Sequence, residues 1–169
     1  KDTNLNVMRE RILNFWRRAC THYRDDGISE EDEPVLAKLA WLVTWLDKLD
    51  DQNTENLLLS MPYLKKRFVT VHFLEGLKTI ISGRDTSPEA AVNTGKLLRD
   101  LSKYETPEFK QDDIRELVEF VYEQGGEEGK NMADEFIDRY ARQGLHFLRD
   151  IWAKYNPPEE TAQQPESPA

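Results

Sequence analysis

Cysteine is almost missing from this chain. Cys20 stands alone, so no disulfide can form within the chain, and a reducing, intracellular setting is the expectation. Histidine is scarce too: His22, His72 and His146 form no His-x-x-x-His pair, and there is no Cys-x-x-Cys and no Glu-x-x-His repeat. Neither a zinc nor a di-iron site has its ligand spacing, and no metal or other cofactor is expected. There is no G-x-S-x-G, no P-loop and no G-x-G-x-x-G. The glycines fall between helical runs, whereas a phosphate cradle needs one between a strand and a helix. Cys20 and His22 are two residues apart, which on a helix turns them to different faces, so Cys20 reads as a core or boundary residue and not as a nucleophile. On these absences the chain is not expected to be an enzyme. Uncharged runs of membrane-spanning length are missing as well. Positive charge is in deficit, with 23 Lys and Arg against 32 Asp and Glu and a net charge of −9. That argues against a whole-surface platform for nucleic acid or an anionic membrane and leaves only local basic faces. The chain opens on Lys1, as expected of a segment of a longer protein, so nothing follows about targeting signals.

What is present is helical periodicity. Glu33 to Asp50 carries apolar residues nearly all round the cylinder, leaving Lys38, Thr44, Asp47 and Lys48 as the polar remainder, and is expected to be the central helix of a bundle. A first helix is expected from about Asn6 to Tyr23, burying an arc of Met8, Ile12, Phe15, Trp16, Ala19 and Tyr23. Asn53 or Thr54 would cap a short helix that Pro62 stops, and Tyr63 to Ser82 would follow, with a break near the β-branched Val69-Thr70-Val71. Gly83 suits a helix end, and Thr86-Ser87-Pro88-Glu89 joins cap hydroxyls, a first-turn proline and a first-turn acid. That helix reaches Tyr104, with Gly95 allowing a close neighbour. Further helices are expected over about Asp112 to Glu123, then, past a break at Gly125, Gly126 and Gly129, over Lys130 to Tyr155. The expectation is therefore an all-α single domain of about six or seven helices over 1–156, with a short helical solenoid as the alternative. Residues 157–169 lack apolar anchors and read as a disordered tail or linker.

Three features mark candidate partner surfaces. Trp41 and Trp45 stand one turn apart, as core residues or as binding anchors, with core favoured on so apolar a helix. Arg9, Arg11, Arg17 and Arg18, with Lys65, Lys66 and Arg67, supply a basic patch that would serve a nucleic-acid-binding domain, or simply a solvated face. The run Ile80-Ile81-Ser82-Gly83-Arg84-Asp85 sets two branched aliphatics before a glycine and charges of both signs, a rim suited to a peptide side chain.

From Trp45 to Tyr104 the order of features resembles the N-terminal helical domain of transcription elongation factor TFIIS and the integrase-binding domain of LEDGF. The residues that carry the resemblance are Leu46-Asp47-Lys48-Leu49-Asp50, the helix begun at Thr54, Leu77-Lys78-Thr79-Ile80-Ile81, and Gly95-Lys96-Leu97-Leu98 with Lys103-Tyr104. The resemblance implies a small helical bundle that docks short, disordered acidic and aromatic motifs of chromatin and elongation factors at its interhelical loops. It places the partner surface on Leu49, Asp50, Ile80, Ile81, Arg84 and Asp85, and the protein in the nucleus. The chain lacks the Ile-Gly-Lys triplet, has Lys103-Tyr104 in place of the usual Trp-Lys, and continues past the pattern after Glu108. The functional expectation is a non-enzymatic module that binds a short linear motif of a protein partner. The alternatives are a nucleic-acid-binding domain and a regulatory or scaffold subunit completed by another chain.

Overall fold

Ser87 and Pro88 start a helix as their order predicts: the Ser87 hydroxyl accepts from the Ala90 N–H at 3.1 Å, and Pro88 fills the first helical position, where no N–H is needed. Asp50, one turn ahead of the Asn53 or Thr54 expected, caps another helix by accepting from the Asn53 N–H at 2.9 Å. The computed structural model describes residues 2–63, 67–104 and 109–159. Among them are eight α-helices and no strand: α1 (Asp2–Asp26), α2 (Glu33–Leu39), α3 (Asp51–Ser60), α4 (Arg67–Thr79), α5 (Pro88–Leu101), α6 (Gln111–Gln124), α7 (Gly126–Arg142) and α8 (Arg149–Tyr155).

The helices share one core. A continuous cluster of buried apolar side chains runs from Leu13 and Trp16 on α1, through Phe73, Leu77, Leu97 and Val118, to Phe136 on α7 and Ile151 on α8. The arrangement is a compact single-domain helical bundle, in which most helices pack on the next helix, on the one after it, or on both. At its middle lies α5, packed on α3, α6 and α7, with Ala90, Leu97, Leu98 and Leu101 all buried.

The expected central helix from Glu33 to Asp50 is not continuous. It is α-helical only to Leu39, tightens to a 3-10 turn over Ala40–Trp45, and leaves helical geometry from Leu46. Trp41, Val43, Thr44 and Trp45 are aromatic or β-branched, and such residues lose rotamer freedom in an α-helix. α4 also presses close there: a Cβ on Gly76 would lie 2.4 Å from Val43 Cγ1 and 3.1 Å from the Thr44 nitrogen. Only glycine permits that approach.

Three further expectations shift. No break occurs at Thr70, which is buried within α4. Gly129 lies inside α7 instead of breaking the chain, and Gly125 and Gly129 both sit against the Val121 carbonyl. The expected last helix divides at Gly144, whose φ of +86° no ordinary helical residue adopts, into α7 and α8. α8 returns onto α6 through a two-pronged ion pair from Arg115 to Asp150, at 2.9 and 2.6 Å. Tyr155 stacks on Tyr122 with centroids 4.4 Å apart.

Candidate functional site

The loop that the resemblance selects is tied into the chain's own backbone. The last hydrogen bond of the 3-10 turn runs from the Leu46 N–H to the Val43 carbonyl, and the backbone polar groups at its end need other partners. Arg84 supplies them, its guanidinium donating to the carbonyls of Thr44 and Leu46. The Asp85 carboxylate accepts from the Leu49 N–H at 2.9 Å and from the Ser87 N–H and hydroxyl. Burial pushes that carboxyl up, but these donors outweigh it and hold it below the ordinary carboxylate range. Asn93 from α5 donates to the Leu49 carbonyl at 2.9 Å, and Asn53 to that of Lys48 at 3.0 Å. Gly83, with φ at +148°, lets the chain turn so that Arg84 and Asp85 both face the 44–49 strip.

Of the six residues in that candidate surface, Leu49 and Ile80 are fully buried and Ile81 is half-buried against the core. Asp50 is the helix cap already described. The structure does bring the six together, around one backbone strip. Sequence spacing shows Arg84 and Asp85 as a charged rim, and only the fold shows that carbonyls and an N–H of the same chain face them.

The tryptophans divide. Trp41 keeps 38% of its surface and lies against His72 with ring centroids 4.9 Å apart, so it is not core as expected, while Trp45 is half-buried under the Arg9 guanidinium. The basic residues do not form one described patch. Arg17 donates to Asn14, Lys65 and Lys66 lie outside the described residues, and so does the side chain of Arg67. Cys20 is buried, its thiol pushed up to about 11 by burial, and His22 is exposed and paired with Asp26 at 2.8 Å.

The largest departure from expectation lies on α1. It packs along α3 through Leu13, Trp16 and Cys20, with the Cys20 thiol toward the Asn56 carbonyl. Leu5, Met8 and Phe15 are instead 58, 58 and 57% exposed, with Ile12 and Ala19 only partly covered. The five residues Leu5, Met8, Ile12, Phe15 and Ala19 follow steps of three, four, three and four, the heptad spacing of a helix-to-helix seam. At 1.5 Å per residue that seam is about 21 Å long. α1 therefore carries two apolar stripes roughly 100° apart, one used by the core and one facing outward. The arc read from the sequence merged them, burying Met8 and Phe15 and omitting Leu13. The signal that separates them was present: Leu13, Trp16 and Cys20 make their own three- and four-residue series. Beyond the seam, on the side away from the body, lie Arg11 and Arg18, both exposed and without an ion-pair partner among the described residues.

A concavity of about 270 Å³ lies where α7 turns into α8, lined by Ile137, Ala141, Leu145, His146, Arg149 and Trp152. Leu145 and Trp152 are exposed at its mouth, and Asp138 on its wall is engaged by Arg142 at 3.0 Å. Among the described residues no helix is long and apolar enough to cross a membrane. Comparison with protein-family models, with curated proteins and with solved structures gives no match for this chain.

Proposed function

We propose that this chain is a non-enzymatic protein-interaction module that presents the outer face of α1 to a partner chain. One observation carries the reading: three large apolar side chains at seam spacing stand in water on a helix whose other stripe is already anchored in the core. Burying an exposed Leu, Met or Phe is worth about 1.5–3 kcal/mol each, so covering this stripe supplies a driving force that the chain alone leaves unused. Contiguous apolar surface of this kind marks interaction sites in folded proteins. Of the three readings open from the sequence, a subunit completed by another chain is the one this observation favours. The peptide-docking loop of the TFIIS-type resemblance, and with it the transcription or chromatin setting, draws less support, because Arg84 and Asp85 serve the chain's own backbone.

The test is affinity capture from native extract with the wild-type chain and with Met8→Glu/Phe15→Glu. The doubly substituted chain should keep its helical circular dichroism and melting temperature and lose the partners that the wild type holds. Recovery of the same partners by both would overturn the reading.

A further inference from the structure

The partner's chemistry is written on the edge of the seam. If Leu5, Ile12 and Ala19 are placed at heptad position a and Met8 and Phe15 at d, then Arg11 and Arg18 fall at g and Arg9 and Trp16 at e. The e edge runs into the chain's own body. Trp16 is fully buried, and Arg9 lies over the Trp45 ring at 6.0 Å. A helix laid on the seam must lean toward the g edge, where Arg11 and Arg18 are exposed and unpaired among the described residues. The one acid in the middle of α1, Glu10, falls at f, on the far side from the seam.

We propose that the seam takes an amphipathic helix of a different chain, with apolar a and d positions and Asp or Glu beside them. This rests on the interaction-module reading above and specifies its partner. A second copy of this chain does not fit. Laid antiparallel, it would set its own Arg11 and Arg18 against this edge; laid parallel, it would bring Arg9 and the body attached at Trp16. Like charges at such flanks disfavour pairing, and opposite charges select it. The chain's net charge of −9 does not reverse this choice, because at physiological salt charges farther than about 8 Å are largely screened and the two near arginines set the local field. Fewer than three heptads of contact, with the partner ordering on arrival, keep the affinity at roughly micromolar.

The experiment uses two synthetic peptides of about three heptads, both with leucine at a and d, one with glutamate and one with lysine at e and g. Binding to the full chain is read by fluorescence anisotropy. The glutamate peptide should bind about tenfold tighter than its lysine twin, with the gap narrowing in high salt. Arg11→Glu/Arg18→Glu should invert the order, and Phe15→Glu should abolish both. Equal binding of the two peptides, or a preference that survives the charge reversal, would overturn the acidic-partner proposal and leave the interaction-module reading standing. Binding of neither peptide, together with partner capture unaffected by Met8→Glu/Phe15→Glu, would overturn both. Sedimentation that shows a dimer dissolved by Phe15→Glu would assign the seam to a second copy. Duplex DNA bound by the wild type and released by Arg11→Glu/Arg18→Glu would assign the edge to phosphates. Either result contradicts the proposal.

Discussion

Phe15 and Trp16 are adjacent on α1 and lie in opposite environments: Trp16 is fully buried in the core, whereas Phe15 keeps more than half of its surface in water. One helical step of 100° separates the stripe that holds α1 to the bundle from the stripe that holds nothing.

The two substitutions should accordingly behave differently. Trp16→Ala removes a large core side chain and leaves a cavity, and should cost about 3–5 kcal/mol of unfolding free energy. Phe15→Ala, at an exposed position, should stay within about 0.5 kcal/mol of the wild type. Urea unfolding followed by circular dichroism measures both. A Phe15→Ala loss as large as that of Trp16→Ala would place Phe15 inside the bundle.

Arg84 is a structural brace, so Arg84→Ala should lower stability by about 1–2 kcal/mol, because the Thr44 and Leu46 carbonyls lose their donor. Arg84→Lys should recover only part of that, since an ammonium lacks the planar fork. Urea midpoints of the two variants, each compared with the wild type, decide it. An Arg84→Ala midpoint equal to the wild-type value would return Arg84 to the list of free surface charges.

Much of this could be read in advance, and the failures share a cause. Ser87-Pro88 and Gly83 carry local signals whose physics is complete within a few residues, so the helix starts and stops they mark are legible. Periodicity likewise identified α5 and α6 as amphipathic helices. The continuous helix expected over Glu33–Asp50 failed because what ends it is not local: Gly76 admits the 3-10 turn and Arg84 satisfies the carbonyls beyond it, and both lie more than thirty residues away. Arg84 and Asp85 looked available to a ligand for the same reason. On α1, an apolar face does not say whether its cover comes from this chain or from another, and Phe15 reads as core beside Trp16 until the fold places Leu13 there instead.

The link between α8 and α6 should depend on pH. The Arg115 guanidinium beside Asp150 holds that carboxyl down to about 2, below its ordinary value near 3.8. Its contribution is complete above the ordinary carboxylate value and is lost as the pH falls through about 2. Because Asp150 is mostly exposed, the effect is small, under about 1 kcal/mol. Asp150→Asn should melt slightly lower than the wild type at pH 6 and equally at pH 1.5. A melting difference that persists at the acid end would mean that Asp150 acts through something other than its charge.

Hydrogen exchange on the full chain, with and without the glutamate-flanked peptide, tests the central claim most directly. Docking on the α1 seam predicts slowed exchange over residues 5–19, with the Ile80–Asp85 turn and the α7–α8 concavity unchanged. Slowed exchange at either of those places, with 5–19 unaltered, would contradict the assignment of the partner surface to α1.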